Sequence, residues 1–261
     1  MLDVMSSAID SLSAALRKSN AIVALTGAGI SAESSIPTFR GAGGLWQNFQ
    51  PEQLANLEAF ERDPRLVWEW YDWRRGIISG AEPNRGHRAL AEIERRKGSG
   101  FILLTQNVDG LQDRAGSRRV VKLHGDIWQM RCTECGTVTF NHEAPLAVLP
   151  PHCSCHALLR PGVVWFGESL PELEWQRAVE ASQRADLFLL IGTSAVVYPA
   201  AGLAETAHQA GARVAVINLE TTALDDLAEW TLRGSAGQIL PRLLEQESSG
   251  PGFGEGGSSS H

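Results

Sequence analysis

Ala21-Ile22-Val23-Ala24-Leu25-Thr26-Gly27-Ala28-Gly29-Ile30-Ser31-Ala32 is the stretch from which the fold is read. Its first half is an apolar run with no polar alternation. A strand of that kind is buried on both faces, as in a parallel sheet covered by helices on each side. Its second half, directly after the strand, has the spacing G-x-G-x-x-A of a dinucleotide-binding turn. Glycines there let the backbone approach a pyrophosphate, and the amides that follow can hold its oxygens. Gly27, Ala28, Gly29, Ile30 and Ser31 are therefore candidate cofactor contacts. By itself the spacing is a weak signal, because a tight glycine turn after a strand is common.

Outward from this stretch the same pattern repeats. Apolar runs end in polar or glycine-containing turns at 101–105, 187–191 and 213–217, with a shorter one at 120–123. Helical spacing fills 2–17, 65–79, 86–96, 172–184 and 200–209. Alternating strands and helices predict an α/β class: a doubly wound, mostly parallel, Rossmann-like sheet. One feature departs from a plain dehydrogenase half-domain. After Ala32 the chain runs Glu33-Ser34-Ser35-Ile36-Pro37-Thr38-Phe39-Arg40-Gly41, which proline and glycine make a loop. A long ordered loop beside a nucleotide is often a lid, and Phe39 and Arg40 are placed to cover a cofactor.

In open α/β sheets ligands bind at the carboxyl ends of the strands. Here those ends carry Gln106-Asn107-Val108-Asp109, Gly192-Thr193-Ser194 and Asn218-Leu219-Glu220. One such end is ordinary turn chemistry; three on one edge suggest a site. Glu220 is the candidate for a ribose hydroxyl, since a carboxylate accepts two hydrogen bonds. The run at 120–123 closes in His124-Gly125, which offers a general base beside room for a substrate.

The region 131–160 is different, with little periodicity, several prolines, three of the seven histidines and all four cysteines. Cys132-x-x-Cys135 followed by Cys153-x-Cys155 is the pattern of one structural zinc, closed by four thiolates and so without an open catalytic position. His152 and His156 flank the tighter second pair, so a histidine standing in for Cys155 is an alternative. The expected organisation is a catalytic domain over 1–247, its sheet in about 1–130 and 160–247 and its zinc module in about 131–160. A Gly- and Ser-rich tail at 248–261 is expected to be disordered.

The chain has 261 residues, 43% of them hydrophobic, and a net charge of −7. That supports a real core. The acidic balance argues against a main task of gripping nucleic acid or an anionic membrane. No apolar run has the roughly eighteen residues that a membrane span needs. Met1-Leu2-Asp3 lacks the basic flank of a signal peptide, so the cytoplasm is the expected location.

Taken together these motifs resemble the sirtuin family over about residues 19–243. They are the segment from Gly27 through Glu33 to Ile36-Pro37-Thr38-Phe39-Arg40 with Gly44-Leu45-Trp46, then Thr105-Gln106-Asn107-Val108-Asp109-Gly110-Leu111, then Lys122-Leu123-His124-Gly125. Leu159-Arg160-Pro161, Val163-Val164-Trp165-Phe166-Gly167-Glu168 and Gly192-Thr193-Ser194 with Val197 and Pro199-Ala200 complete the order. Three departures stand out: Ser35 where the family usually has glycine, Gln112 where histidine is common, and the Cys-x-Cys spacing.

The resemblance implies NAD-dependent removal of acyl groups from protein lysines, giving nicotinamide and O-acyl-ADP-ribose. It implies His124 as the base toward a ribose hydroxyl, with Asn107 and Asp109 at the nicotinamide end. It places Gly27, Ala28, Gly29, Ile30, Ser31, Glu33, Thr38, Phe39, Arg40, Trp46, Gln106, Gly192, Thr193, Ser194, Asn218, Leu219, Glu220 and Ala236 around the cofactor. Val163, Val164, Trp165, Phe166, Gly167 and Glu168 would pair with an extended substrate by strand addition. Tyr71-x-x-Arg74 looks like the pattern of the branch that removes succinyl and malonyl groups; arginine grips a carboxylate through two parallel hydrogen bonds and tyrosine adds a third. From spacing alone the same four residues read as an ordinary surface helix. The implied partners are acylated lysines of proteins, with no nucleic acid and no membrane, and the expected state is a monomer. Rival readings are an NAD-dependent oxidoreductase, an ADP-ribosyl transferase and a zinc-ribbon adaptor.

Overall fold

A computed structural model describes residues 2–38 and 50–245. Among the described residues nine strands are formed: β1 (Ile22–Thr26), β2 (Phe101–Thr105), β3 (Val120–Lys122), β4 (Gly125–Cys132), β5 (Val138–Phe140), β6 (Leu159–Val163), β7 (Leu187–Ile191), β8 (Arg213–Asn218) and β9 (Trp230–Arg233). The helices are α1 (Leu2–Lys18), α2 (Ala28–Ala32), α3 (Pro51–Leu54), α4 (Leu57–Arg62), α5 (Pro64–Gly80), α6 (Arg85–Lys97), α7 (Leu111–Arg114), α8 (Glu172–Gln183), α9 (Gly202–Gln209) and α10 (Ala236–Glu245).

Six strands form one parallel sheet in the order β3-β2-β1-β7-β8-β9. β1 and β7 are buried along their whole length, as their unbroken apolar runs require. Side chains alternate between two cores. Ile22, Ala24, Leu103, Leu189 and Ile217 pack on one face against Ile9 and Leu12 of α1, Leu90 of α6 and Ile239 of α10. Val23, Leu25, Leu104, Leu190 and Val216 pack on the other against Ala178 of α8 and Leu203 and Ala204 of α9. This is the doubly wound sheet expected from the sequence. Strand order reverses between β1 and β7, so a crevice opens at their carboxyl ends.

A second sheet, β5-β4-β6, is antiparallel and runs from Gly125 to Val163, with a register irregularity between Gly125 and Met130. Its inner side joins a third core with Trp68, Trp70 and Tyr71 of α5, where Ile127, Met130, Leu159 and Trp165 meet them. Among the described residues no helix is long and apolar enough to cross a membrane.

Candidate active site

Because all six strands run the same way, every polar strand end arrives at one edge. The ladder continues one step beyond the strands. Gly27 N–H donates to Ile191 O, Gln106 N–H to Thr26 O, Leu123 N–H to Thr105 O and Gly192 N–H to Ile217 O, all at 2.9–3.0 Å. The four loops are thereby held abreast.

The glycines serve this junction. Gly29 N–H donates to Gly192 O at 2.7 Å. A Cβ on Gly29 would lie 2.7 Å from that same oxygen, and one on Gly192, at φ +59°, would lie 2.4 Å from Ile30 N. The amides of Gly27 and Gly29 are engaged within the chain. These glycines allow the close contact of two loops at the carboxyl edge, and Ala28 beside them lines a cleft.

That cleft is lined by Ala28, Ser31, Ile36, Pro37, Arg74, Asn107, Val108 and Asp109. Ser31 is its hub. The Ser31 hydroxyl donates to Asp109 Oδ2 at 2.7 Å and accepts from Asn107 Nδ2 at 3.2 Å, while Asn107 Nδ2 also donates to Gly27 O at 3.0 Å. Buried His87, not singled out in the sequence, stands 3.4 Å from Ser31 Oγ through Nε2. The Asn84 amide donates to His87 Nδ1 at 3.3 Å, so the ring proton belongs on Nε2, facing the serine. Burial holds the His87 pKa down at about 4. The visible signal for it was Asn84-x-x-His87, a capping box at the start of α6. Burial pushes the Asp109 carboxyl up, opposed by hydrogen bonds from Leu111 N–H and Ser31 and by the charge of Arg74.

His124 follows β3 on the same edge. Its Nδ1 lies 2.9 Å from Gln106 O, and a carbonyl only accepts, so Nδ1 carries the proton and Nε2 keeps its lone pair. Burial lowers its pKa, with the Gln106 carbonyl pulling the other way, which keeps the ring neutral and basic. On the far side of the junction, Thr193 Oγ1 accepts from Gln106 Nε2 at 3.3 Å and from Ala195 N–H at 3.2 Å. Asn218 Nδ2 donates to Glu220 O at 3.0 Å, and Leu219 and Glu220 are exposed. Glu33 ties the loop after α2 to α10. Its carboxylate accepts from Gly237 N–H at 2.8 Å and Ser235 Oγ–H at 2.9 Å, fixing the start of α10, which Ala236 opens in a buried position. Thr38 is within the described residues; Phe39, Arg40 and Trp46 and the tail at 248–261 lie outside them.

Tyr71 and Arg74 face the same side of α5, but only Arg74 lines the cleft. Tyr71 is buried behind it, accepting from Trp165 Nε1 at 3.0 Å, and burial pushes its phenol pKa up. The Arg74 guanidinium lies 5.4 Å from the Trp70 ring, and burial pulls its pKa down. In 163–168 four amides are already used: Val164 N–H donates to His124 O, Phe166 N–H to Ala55 O, Trp165 N–H to Glu168 Oε2 and Glu168 N–H to Trp165 O. Strand addition there would run through carbonyls; Phe166 and Gly167 are exposed, and Glu168 is locked to Arg160 at 2.6 Å.

The metal module brings its four thiolates together. The Sγ atoms of Cys132, Cys135, Cys153 and Cys155 lie within 4.8 Å of one another, with separations of 3.5 Å for Cys132–Cys155 and 3.7 Å for both Cys135–Cys153 and Cys135–Cys155. A tetrahedral zinc with bonds of about 2.3 Å needs sulfur separations of about 3.8 Å. The tetrad fits one structural zinc, and neither His152 nor His156 belongs to it.

A doubly wound sheet whose carboxyl edge carries a neutral histidine, an asparagine and a buried carboxylate, with a four-thiolate module set into the chain, defines a dinucleotide-dependent enzyme with a structural zinc. The donors at the switch point fit NAD. The Sir2 family profile matches residues 27–199. The chain is 53% identical over 234 residues to NAD-dependent protein deacylase 2 of Pyrobaculum aerophilum, covering 88% of this chain and 92% of that one. It is 52% identical to an NAD-dependent protein deacylase of Aquifex aeolicus, covering 86% and 94%. A solved Sir2 homolog–NAD complex superposes with TM-score 0.87 at 46% identity, over 92% of this chain and 94% of that one. The chain belongs to the Sir2 family.

Proposed function

We propose that this chain removes acyl groups from lysine side chains of proteins in an NAD-dependent reaction, releasing nicotinamide and forming O-acyl-ADP-ribose. The observation that carries this reading is His124, held with Nδ1–H on the Gln106 carbonyl and its Nε2 lone pair available at the switch-point edge. Bound NAD supplies an electrophilic ribose carbon and the departing nicotinamide. His124 Nε2 takes up the proton of a ribose hydroxyl. Asn107 and Asp109, ordered by Ser31, stand at the nicotinamide end. They stabilise charge in a site whose dipoles are already oriented, so little reorganisation is needed during reaction. The loops of Gly27–Ser31 and Gly192–Ser194, with Asn218, Leu219, Glu220 and Ala236, border the rest of the cofactor. The lysine arrives on an extended segment laid along 163–168.

The preferred acyl groups are succinyl and malonyl, with acetyl also accepted. Arg74 supports this: it is a buried guanidinium at the wall of the cleft, and a guanidinium can hold an acyl carboxylate through two parallel hydrogen bonds. We read the chain as a monomer of the cytoplasm, where four free thiols suit zinc over disulfides.

The test is nicotinamide release with matched acetyl-, succinyl- and malonyl-lysine peptides. His124→Ala should lower kcat by about 10²–10⁴-fold on all three. Turnover that survives the change intact defeats the assignment, as does accumulation of reduced nicotinamide absorbance. Arg74→Met should lower succinyl and malonyl turnover far more than acetyl turnover; equal loss removes the acyl preference and leaves the deacylase reading standing.

A further inference from the structure

α5 is shared by two parts of the molecule. Tyr71 and Arg74 sit on the side that faces the cleft and the 163–168 segment. The adjacent stripe, Trp68, Asp72 and Arg75, recurs at intervals of four and three and is bonded throughout to the metal module. Trp68 Nε1–H donates to Leu159 O at 2.7 Å, on β6 opposite the ligand Cys132. Asp72 Oδ1 accepts from Leu146 N–H at 2.9 Å. Arg75 reaches into the strap that follows β5, where Nη2 donates to Asn141 Oδ1 at 2.6 Å and to Glu143 O at 3.0 Å, and also to Asn141 O.

Arg75 is fully buried, and its guanidinium lies 5.1 Å from the Trp128 ring, which is itself on β4. A charge in that place, with no acidic oxygen among its hydrogen-bond partners, is far from the least costly way to fill space. Its bonds go to backbone and amide oxygens of one short strap, which is what fixing the position of two elements requires.

We infer that Arg75 is a positioning residue for acyl-group selection: through the 141–146 strap it sets α5 against the metal module and so sets where Arg74 meets the acyl group. This rests on the reading of Arg74 given above. The three contacts all leave one nitrogen, whose two N–H groups are shared among three acceptors, and Nε and Nη1 have no hydrogen-bond partner among the described residues. A lysine ammonium, with three donors on one nitrogen, therefore does the same work at this position, although it fails where two nitrogens of a fork are used.

The experiment compares zinc-loaded wild type, Arg75→Met, Arg75→Lys, Asp72→Ala and Arg74→Met. It measures KM and kcat for acetyl and succinyl peptides, KM for NAD, zinc content and Tm. Arg75→Met should raise the succinyl-peptide KM about tenfold, the acetyl-peptide KM about threefold or less, and the NAD KM less than about twofold. Asp72→Ala should move the same constants in the same order by less. Arg75→Lys should restore the succinyl-to-acetyl ratio to within about twofold of wild type at whatever Tm it shows. A ratio that Arg75→Met leaves unmoved overturns the inference, and so does a rise of the peptide and NAD constants together. If Arg74→Met itself leaves the ratio unmoved, the acyl reading falls. Arg75 then stands as a positioning residue for α5 only if Arg75→Met raises peptide KM at constant NAD KM.

Discussion

The carboxyl edge of the large sheet and the metal module hold their polar groups by opposite means. At the edge, Ser31, His87, Asn107 and Asp109 are all buried, and hydrogen bonds among them and to Gly27 O satisfy them. They rest on strands covered on both faces by helices, so the surrounding apolar burial tolerates groups whose ionisation is suppressed. In the module, β5 is exposed along its length and Phe140 is 63% exposed. Four thiolates and the bonds to α5 take the place of a core of its own. Where burial is plentiful the chain can afford chemistry; where it is scarce, metal coordination and a neighbouring helix define the shape.

The sharpest way to break this comparison is to remove the metal. Chelation, or Cys155→Ser, should strip amide-exchange protection from β4, β5 and β6 while β1, β2, β7 and β8 keep theirs. Binding at such sites contributes on the order of 10 kcal/mol to folding of the part that depends on it. Simultaneous loss of protection in both sheets would show that the two regions are one cooperative unit.

A smaller effect lies in the large sheet. His87 has a pKa of about 4 when folded against 6.5 when free. Between those values the unfolded chain binds a proton that the folded chain does not, so stability falls as pH drops through this window. The loss reaches about 3 kcal/mol by pH 4. Asp109, its carboxyl pushed up by burial, takes up its proton at a higher pH in the folded chain than in the unfolded one and so opposes the fall. His87→Gln should flatten the decline of unfolding free energy between pH 7 and pH 5, measured by denaturant titration. An unchanged slope would mean that the histidine is not held neutral.

The smallest effect is at Ser35, which has φ +62°, a left-handed conformation that glycine adopts without penalty. Ser35→Gly should raise stability by about 0.5–1 kcal/mol through relief of strain. A fall in Tm would show that the side chain contributes more than the backbone loses.

The large sheet was legible because its strands are apolar on both faces and end in turns; the expected bounds of β2 and β7 match those observed. The convergence of Gln106, Asn107, His124 and Thr193 followed from parallel strands alone. α10 was not legible because Pro241 lies inside it and reads as a helix breaker. β4 was missed because burial on successive residues and the irregular register hide its alternation. His87 was missed because Asn84-x-x-His87 marks a helix start and says nothing of the contact its ring makes with Ser31. The second task of α5 was invisible as well: Asp72 and Arg75 look like a solvated surface until the strap at 141–146 is seen to cover them.

The closeness of Gly29 to Gly192 has a mechanical result. With one amide bonded to the facing carbonyl and no space for a methyl group on either residue, the two loops cannot part without breaking that bond. They form the fixed jamb of the doorway. Any widening of the cleft beside them, where Ile36 and Pro37 form part of the lining, must leave this pair of loops together.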